Sequence, residues 1–480
     1  MSPKPTATPG ASSPLQRRAF LKAVTAGAVV TPFGLTLASC AAGGSGPDES
    51  GGGGAATGDV SSDNPFGLAA DSSVDVVIFD GGFGTDYADY DADLLEQNHD
   101  GVTVDITGTT EIAQQMQPRF VGGNPPDLLH NAGAQAIGLS SIVDQLEDLS
   151  DVVDAPNLAG DTIRDTLFPN VLGVNMYGDR MPTLYYVLTV YALWYSKSLF
   201  DANGWAPPTT WDEALELGAA AQEQGKYLFT WGKEAASYYH TMVLDSAIKS
   251  GGDEIRLKMA NLEPDAWSQP AVTDVLAALE QVVSRGYMRP GGAGTQFTQA
   301  QAQWSQAQEA LLYPSGSWIE NEMADATADD FQMTGAPAPT TPDPALPYEA
   351  LNNTPNEMFV VPSQGANVAG GKEFLRTMLS PEAATEFTRL TLAATIVADT
   401  IPDDAFGSSA LASQVAMLDA AGDNTFNYNF YQTYGMTTDI NVLWNSFLSG
   451  QSTAADLASG MQALLDRIRE DDAVTKVEVS

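Results

Sequence analysis

Cysteine is all but missing from this chain: Cys40 is the only one among 480 residues. A single thiol excludes a disulfide framework and any zinc site built on paired cysteines. Histidine is nearly as scarce, limited to His99, His130 and His240. None stands in a His-Glu-x-x-His arrangement, so each reads as a structural or surface histidine and no metal is expected. Basic residues are few as well: 21 Lys and Arg face 61 Asp and Glu, for a formal net charge of -40. Such a surface repels a phosphate backbone, which argues against a nucleic-acid partner, and charge would not hold it to anionic lipid. The sequence contains no Gly-x-Ser-x-Gly elbow and no Gly-x-x-x-x-Gly-Lys-Ser/Thr loop. Its acids offer many pairs, none singled out as a glycosidase couple. Neither catalytic residues nor a cofactor is therefore expected.

Long hydrophobic runs are lacking too. The most apolar stretch, Ala23 to Ala38, is too short to span a bilayer comfortably and follows Arg17-Arg18-Ala19-Phe20-Leu21-Lys22. A charged start, a short apolar segment and small residues describe an export signal over 1–39. Its paired arginines point to the twin-arginine route for folded proteins, with Gln16 where Ser or Thr is usual. Leu37-Ala38-Ser39-Cys40 resembles a bacterial lipobox. Cys40 is thus read as the lipidated N-terminus of the mature protein, tethered to the outer face of the cell membrane. The leader carries Lys4, Arg17, Arg18 and Lys22 and no acid, so its removal takes the charge to -44.

From 41 to 73 the chain is mostly Gly, Ser, Ala and Asp, including the run Gly51 to Gly54. It reads as a flexible tether, too poor in apolar surface to fold. The body then opens with Val74-Asp75-Val76-Val77-Ile78-Phe79, a β-branched run that predicts a buried strand. A turn over Gly81 to Gly84, a helix over 86–98, a strand over 102–106, a helix over 112–120 and a strand over 127–130 follow. This alternation predicts a parallel sheet with helices on its faces. Thr210 and Glu213 form a capping-box pattern, and Ser380-Pro381 starts another helix. Leu457, Met461, Leu464, Leu465 and Ile468 recur at helical spacing in a closing helix. The length exceeds one ordinary core and predicts two domains.

Aromatics are what the chain does have in unusual places, including eight tryptophans. A sugar presents a flat C–H face and a rim of hydroxyls, so its site wants aromatic platforms and planar polar groups. Trp194 and Trp211 lie in apolar contexts and read as core. Trp318, in the turn Gly316-Ser317-Trp318 after a strand-like Ala310-Leu311-Leu312-Tyr313, is a candidate platform.

Trp194-Tyr195-Ser196-Lys197-Ser198-Leu199-Phe200-Asp201-Ala202-Asn203-Gly204, followed by Pro207-Pro208-Thr209-Thr210-Trp211-Asp212-Glu213, resembles a segment of the bacterial extracellular solute-binding proteins of carbohydrate ABC transporters. Gly316-Ser317-Trp318 and Leu379-Ser380-Pro381-Glu382-Ala383-Ala384 are similar to two further patterns of that family. The short Gly81-Gly82-Phe83-Gly84 segment resembles its N-acetylglucosamine and chitobiose subgroup.

The resemblance implies an α/β fold of the periplasmic-binding-protein type, two lobes joined by a hinge and closing on a ligand. Lobe one is expected over 74–184 and 316–362, and lobe two over 185–315 and 363–480. Crossings are placed near 185–193, 313–318 and 358–361. The implied function is capture of a mono- or oligosaccharide and its delivery to a membrane permease, by a monomer without enzymatic activity. Expected ligand-binding residues are Phe83, Asp86, Tyr87 and Asn131 on one side, Trp231, Tyr238 and Trp318 on the other, and Glu357 before the last crossing. Two alternatives remain open: a secreted glycan-active hydrolase, or a receptor for another solute such as a polyamine.

Overall fold

The computed structural model describes residues 58–479 apart from 134, 169 and 170. Cys40, the leader and the glycine run lie outside the described residues. The strands, in chain order, are β1 Ser73–Phe79, β2 Thr103–Thr109, β3 Leu128–His130, β4 Leu184–Leu188, β5 Ala192–Ser196 and β6 Tyr227–Phe229. They continue as β7 Ala310–Ser315, β8 Met333–Ala336, β9 Leu351–Asn352, β10 Pro355–Val360 and β11 Thr425–Phe426.

The first sheet has the order β2-β1-β3-β10-β4. Strands β1, β2 and β3 are parallel, with Val76 opposite both Ile106 and Leu128, while β10 runs antiparallel between β3 and β4. Val74, Val76, Val77 and Ile78 are all fully buried, as a β-branched run covered on both faces requires. Helices Asp86–Asn98 and Ile112–Gly122 make the crossovers, and the parallel strands bring their carboxyl ends to one edge. β2 continues three residues beyond its predicted end.

The second sheet has the order β6-β7-β5-β8, with β5 antiparallel to both neighbours. Its helix Trp211–Glu223 carries the predicted capping box: Thr210 Oγ1 accepts from the Glu213 amide at 3.2 Å, and Glu213 Oε2 accepts from the Thr210 amide at 3.3 Å. The closing helix Ala454–Glu470 buries the predicted stripe from Leu457 to Ile468 in the same core.

Two expectations about organisation need correction. The stretch 58–72 is not an open tether. Leu68 is buried in the first core with Phe66 packed beside it, and the Gly58 amide donates to Gly67 O at 2.8 Å. Arg376 adds hydrogen bonds to the carbonyls of Asp63 at 3.3 Å and Ser62 at 3.4 Å, so apolar and polar contacts together lay this segment on the body. The distribution of chain between the sheets also differs from the expected lobes. After β7 the chain stays with the second sheet, because Ile319 and Met323 bury against Trp194 and Tyr313 and β8 pairs with β5. Helices Val368–Met378 and Pro381–Thr391 belong with the first sheet, where Phe374, Leu375, Met378 and Phe387 join Val74 and Val76. The passages between sheets therefore lie at 189–191, at 353–354 and between Val397 and Ser409.

Candidate functional site

A cleft of about 1090 Å³ lies where the parallel edge of the first sheet faces the second. That size is at the upper end of small-molecule sites, which favour the carboxyl ends of parallel strands. From β1 comes the loop Asp80, Gly81, Gly82, Phe83 and Gly84, with Asp86 opening the next helix; from β3 come His130 and Asn131. The second side supplies Tyr238, Trp318, Asn321 and Glu322, the passage at 189–191 supplies Tyr191, and β10 supplies Asn356 and Glu357.

The aromatic wall is built from three rings. Trp318 meets Tyr191 edge-on at 5.8 Å, and Tyr238 meets Trp318 at 5.8 Å. Edge-on packing sets the edge of one ring against the face of the next and so fixes the orientation of all three. Burial, with Glu322 nearby, pushes the Tyr238 phenol well up, so it stays a neutral donor. Glu322 accepts from Gln301 Nε2 at 2.6 Å, and burial outweighs this bond to hold its carboxyl above the usual range. Asn321 Nδ2 donates to the carbonyl of Gly82, joining the two sides of the cleft.

Of the expected ligand residues, Phe83, Asp86, Asn131, Tyr238, Trp318 and Glu357 line this cleft. The Asn131 amide is already spent, donating to Ile137 O and accepting from Ile137 N, each at 2.8 Å. Two do not line it. Tyr87 points inward, 2% exposed, because its helix turns that face onto the first core. Trp231 is 2% exposed in the second core, against Gly292, where a Cβ would come within 2.2 Å of its ring.

The cleft is also lined by His130, Tyr191, Asn321, Glu322 and Tyr431, which the sequence did not single out as ligand residues. His130 carried one available signal, its place at the end of a predicted parallel strand. Its Nε2 lies 2.6 Å from Glu357 Oε2, its Nδ1 lies 3.3 Å from the Tyr87 hydroxyl, and its ring stacks on Phe359 at 4.3 Å. Among the described residues no cluster of His, Cys, Asp and Glu could hold a metal ion. Among them, too, no helix is long and apolar enough to cross a membrane.

A cleft with an aromatic wall and several carboxylates can hold a neutral, hydroxyl-bearing ligand between two sheets. The family model for the bacterial extracellular solute-binding protein matches residues 83–385. The chain belongs to this family. Its work therefore lies outside the cytoplasm. It is 52% identical over 467 residues to the diacetylchitobiose binding protein NgcE of Streptomyces coelicolor, covering 97% of this chain and 98% of that one. Among solved structures it resembles a chitin oligosaccharide binding protein, with a TM-score of 0.67 and 15% identity over 82% of this chain and 98% of that one. It also resembles the apo-form of RafE from Streptococcus pneumoniae, with a TM-score of 0.65 and 15% identity over 84% and 99%. These structural likenesses establish the two-lobed fold.

Proposed function

We propose that this chain is the substrate-binding component of a carbohydrate ABC importer and captures a chito-sugar of the diacetylchitobiose class. The observation that carries the reading is the cleft itself: Trp318, Tyr238 and Tyr191 on one side, Glu357 and the Gly81–Gly84 loop opposite. Aromatic rings suit the C–H faces of pyranose rings, and fixed carboxylates accept from their hydroxyls and amides. The 52% identity to a diacetylchitobiose binding protein supports the same ligand class. The lobes close about the passages at 189–191, 353–354 and 397–409. The protein works as a monomer on a lipid anchor at Cys40 after twin-arginine export, and hands its ligand to a permease without altering it.

Calorimetric titration of the purified protein with diacetylchitobiose, N-acetylglucosamine, maltose and spermidine tests this. Binding of the chito-sugars, with the sugar recovered intact by mass spectrometry, is the expected result. Heat only with spermidine, or cleaved sugar, would overturn it. For the anchor, Cys40→Ser is expected to move the protein from the membrane fraction to the medium.

A further inference from the structure

Glu357 occupies an uncommon backbone position. Its φ is +61°, in the left-handed region, although it sits inside β10, between Asn356 opposite Val187 and Met358 opposite Tyr185. A non-glycine residue there carries strain and persists only where surrounding contacts fix it. The contacts that do so run back into the first core. A carboxylate can only accept, so the 2.6 Å bond to Glu357 Oε2 is donated by His130 Nε2–H. In the neutral imidazole Nδ1 is then the acceptor, and the Tyr87 hydroxyl donates to it at 3.3 Å. Tyr87 is locked in turn, edge-on to Phe387 at 5.0 Å, and the His130 ring stacks on Phe359. Glu357 Oε1 makes no hydrogen bond to any of the described residues and is left to the cleft.

We infer that Tyr87 and His130 are positioning residues: they fix one imidazole tautomer, which holds Glu357 as a preoriented acceptor for donors on the ligand. The inference rests on the sugar-binding reading, and it narrows the ligand to one that brings a hydroxyl or amide N–H to this point. A ligand offering a carboxylate or another acceptor there meets an oxygen that can only accept and is refused. Tyr87, which the sequence placed in the cleft wall, acts from two hydrogen bonds away.

The experiment has a ligand-free arm and a ligand arm. In the unliganded full-length protein, nitrogen NMR of the imidazoles should show His130 with its proton on Nε2, and Tyr87→Phe should mix the tautomers. A wild-type proton on Nδ1 overturns the inference whatever the ligand proves to be. In the ligand arm, diacetylchitobiose affinity is measured for Glu357→Gln, His130→Phe and their double mutant. Each single change should weaken binding about tenfold or more, as loss of a hydrogen bond to a charged group does. Because both act through one carboxylate, the double mutant should be no weaker than Glu357→Gln. His130→Gln, which returns an N–H donor, should recover most of the loss. Additive losses, or wild-type affinity in His130→Phe, would overturn the inference. Tyr87→Phe removes a single oxygen and guards against a folding artefact; it should weaken binding severalfold with little change in melting temperature. If the wild-type protein binds no sugar but keeps the Nε2–H tautomer, the ligand reading fails and the positioning of Glu357 stands.

Discussion

His130 and His240 are both about 98–99% shut off from solvent, and both sit among aromatic rings. Their chemistry is opposite. His130 has a partner on each ring nitrogen, one of them a carboxylate facing the cleft. His240 packs among Trp267, Phe430, Tyr431 and Trp444, and its Nε2 has no partner. Burial alone pushes its pKa down to about 3, so it remains neutral and behaves as one more flat ring. Side-chain type and burial therefore do not separate a working residue from a packing residue here; the hydrogen-bond partners do. The tryptophans divide in the same way. Trp231 has an unpaired, buried Nε1 in the second core, while Trp318 is half-buried with its ring at the cleft.

The sharpest way to break this comparison is to truncate a ring on the packing side. Trp231→Ala leaves a large void in the second core and should cost about 3–5 kcal/mol of stability. Ligand affinity of the molecules that remain folded should stay within about twofold, given that Trp231 does not reach the cleft. Denaturant melts beside calorimetry check this. A selective loss of affinity at normal stability would return Trp231 to the site.

His240 tests the same contrast through pH. Its pKa falls from 6.5 in the unfolded chain to about 3 in the fold, so its contribution is present above about 6.5 and lost as acid rises. Between pH 7 and pH 5 this loss amounts to about 2 kcal/mol. Asp245, five residues along the same helix, works the other way. Burial lifts its pKa to about 7, so its contribution is present below the unfolded value of 3.8 and lost as pH rises through 7. The wild-type profile sums these two with other shifted groups, Lys249 on the same helix among them, and the difference between wild type and His240→Phe isolates the histidine. Urea melts should show His240→Phe gaining about 2 kcal/mol on wild type over that interval. Parallel profiles would mean that water or a partner reaches His240.

How much of this was legible follows from what each feature depends on. The β1 run, the capping box at Thr210 and the closing stripe from Leu457 to Ile468 are written in local spacing, and each stands where the spacing put it. The course of the chain between sheets was not legible. Whether Ile319 or Phe374 joins one core or the other depends on which apolar face is nearest in three dimensions. The tether was misjudged through Phe66 and Leu68, because composition averages hide two anchoring side chains. Within the site, the Gly81–Gly84 loop and Trp318 announced themselves as turns beside strands. Tyr87 and His130 could not be ranked, since a helical period gives the inward face but not what lies across it.

Trp318→Ala carries the comparison to the cleft. This ring is held by Tyr191 and Tyr238 and leaves no closed cavity when removed, so the melting temperature should change little. Sugar affinity should fall roughly tenfold, the scale of one aromatic platform. The reverse pattern, intact affinity with lost stability, would make Trp318 another Trp231.

Asn321→Ala should have the smallest effect. Its side-chain amide donates to the Gly82 carbonyl, a bond made between the helix Ile319–Glu322, packed with the second sheet, and the loop that follows β1 of the first. One neutral, part-buried hydrogen bond adds about 1 kcal/mol. Because the bond spans the cleft, its loss is expected to reduce the population ready to bind. Affinity for diacetylchitobiose should weaken about two- to fivefold. Stopped-flow tryptophan fluorescence should place the change in the closing step, with thermal stability unaltered. Tighter binding in Asn321→Ala would mean instead that the bond props the lobes in the unliganded arrangement. The contrast would then be between a cleft wall that waits for ligand and a strap that must release it.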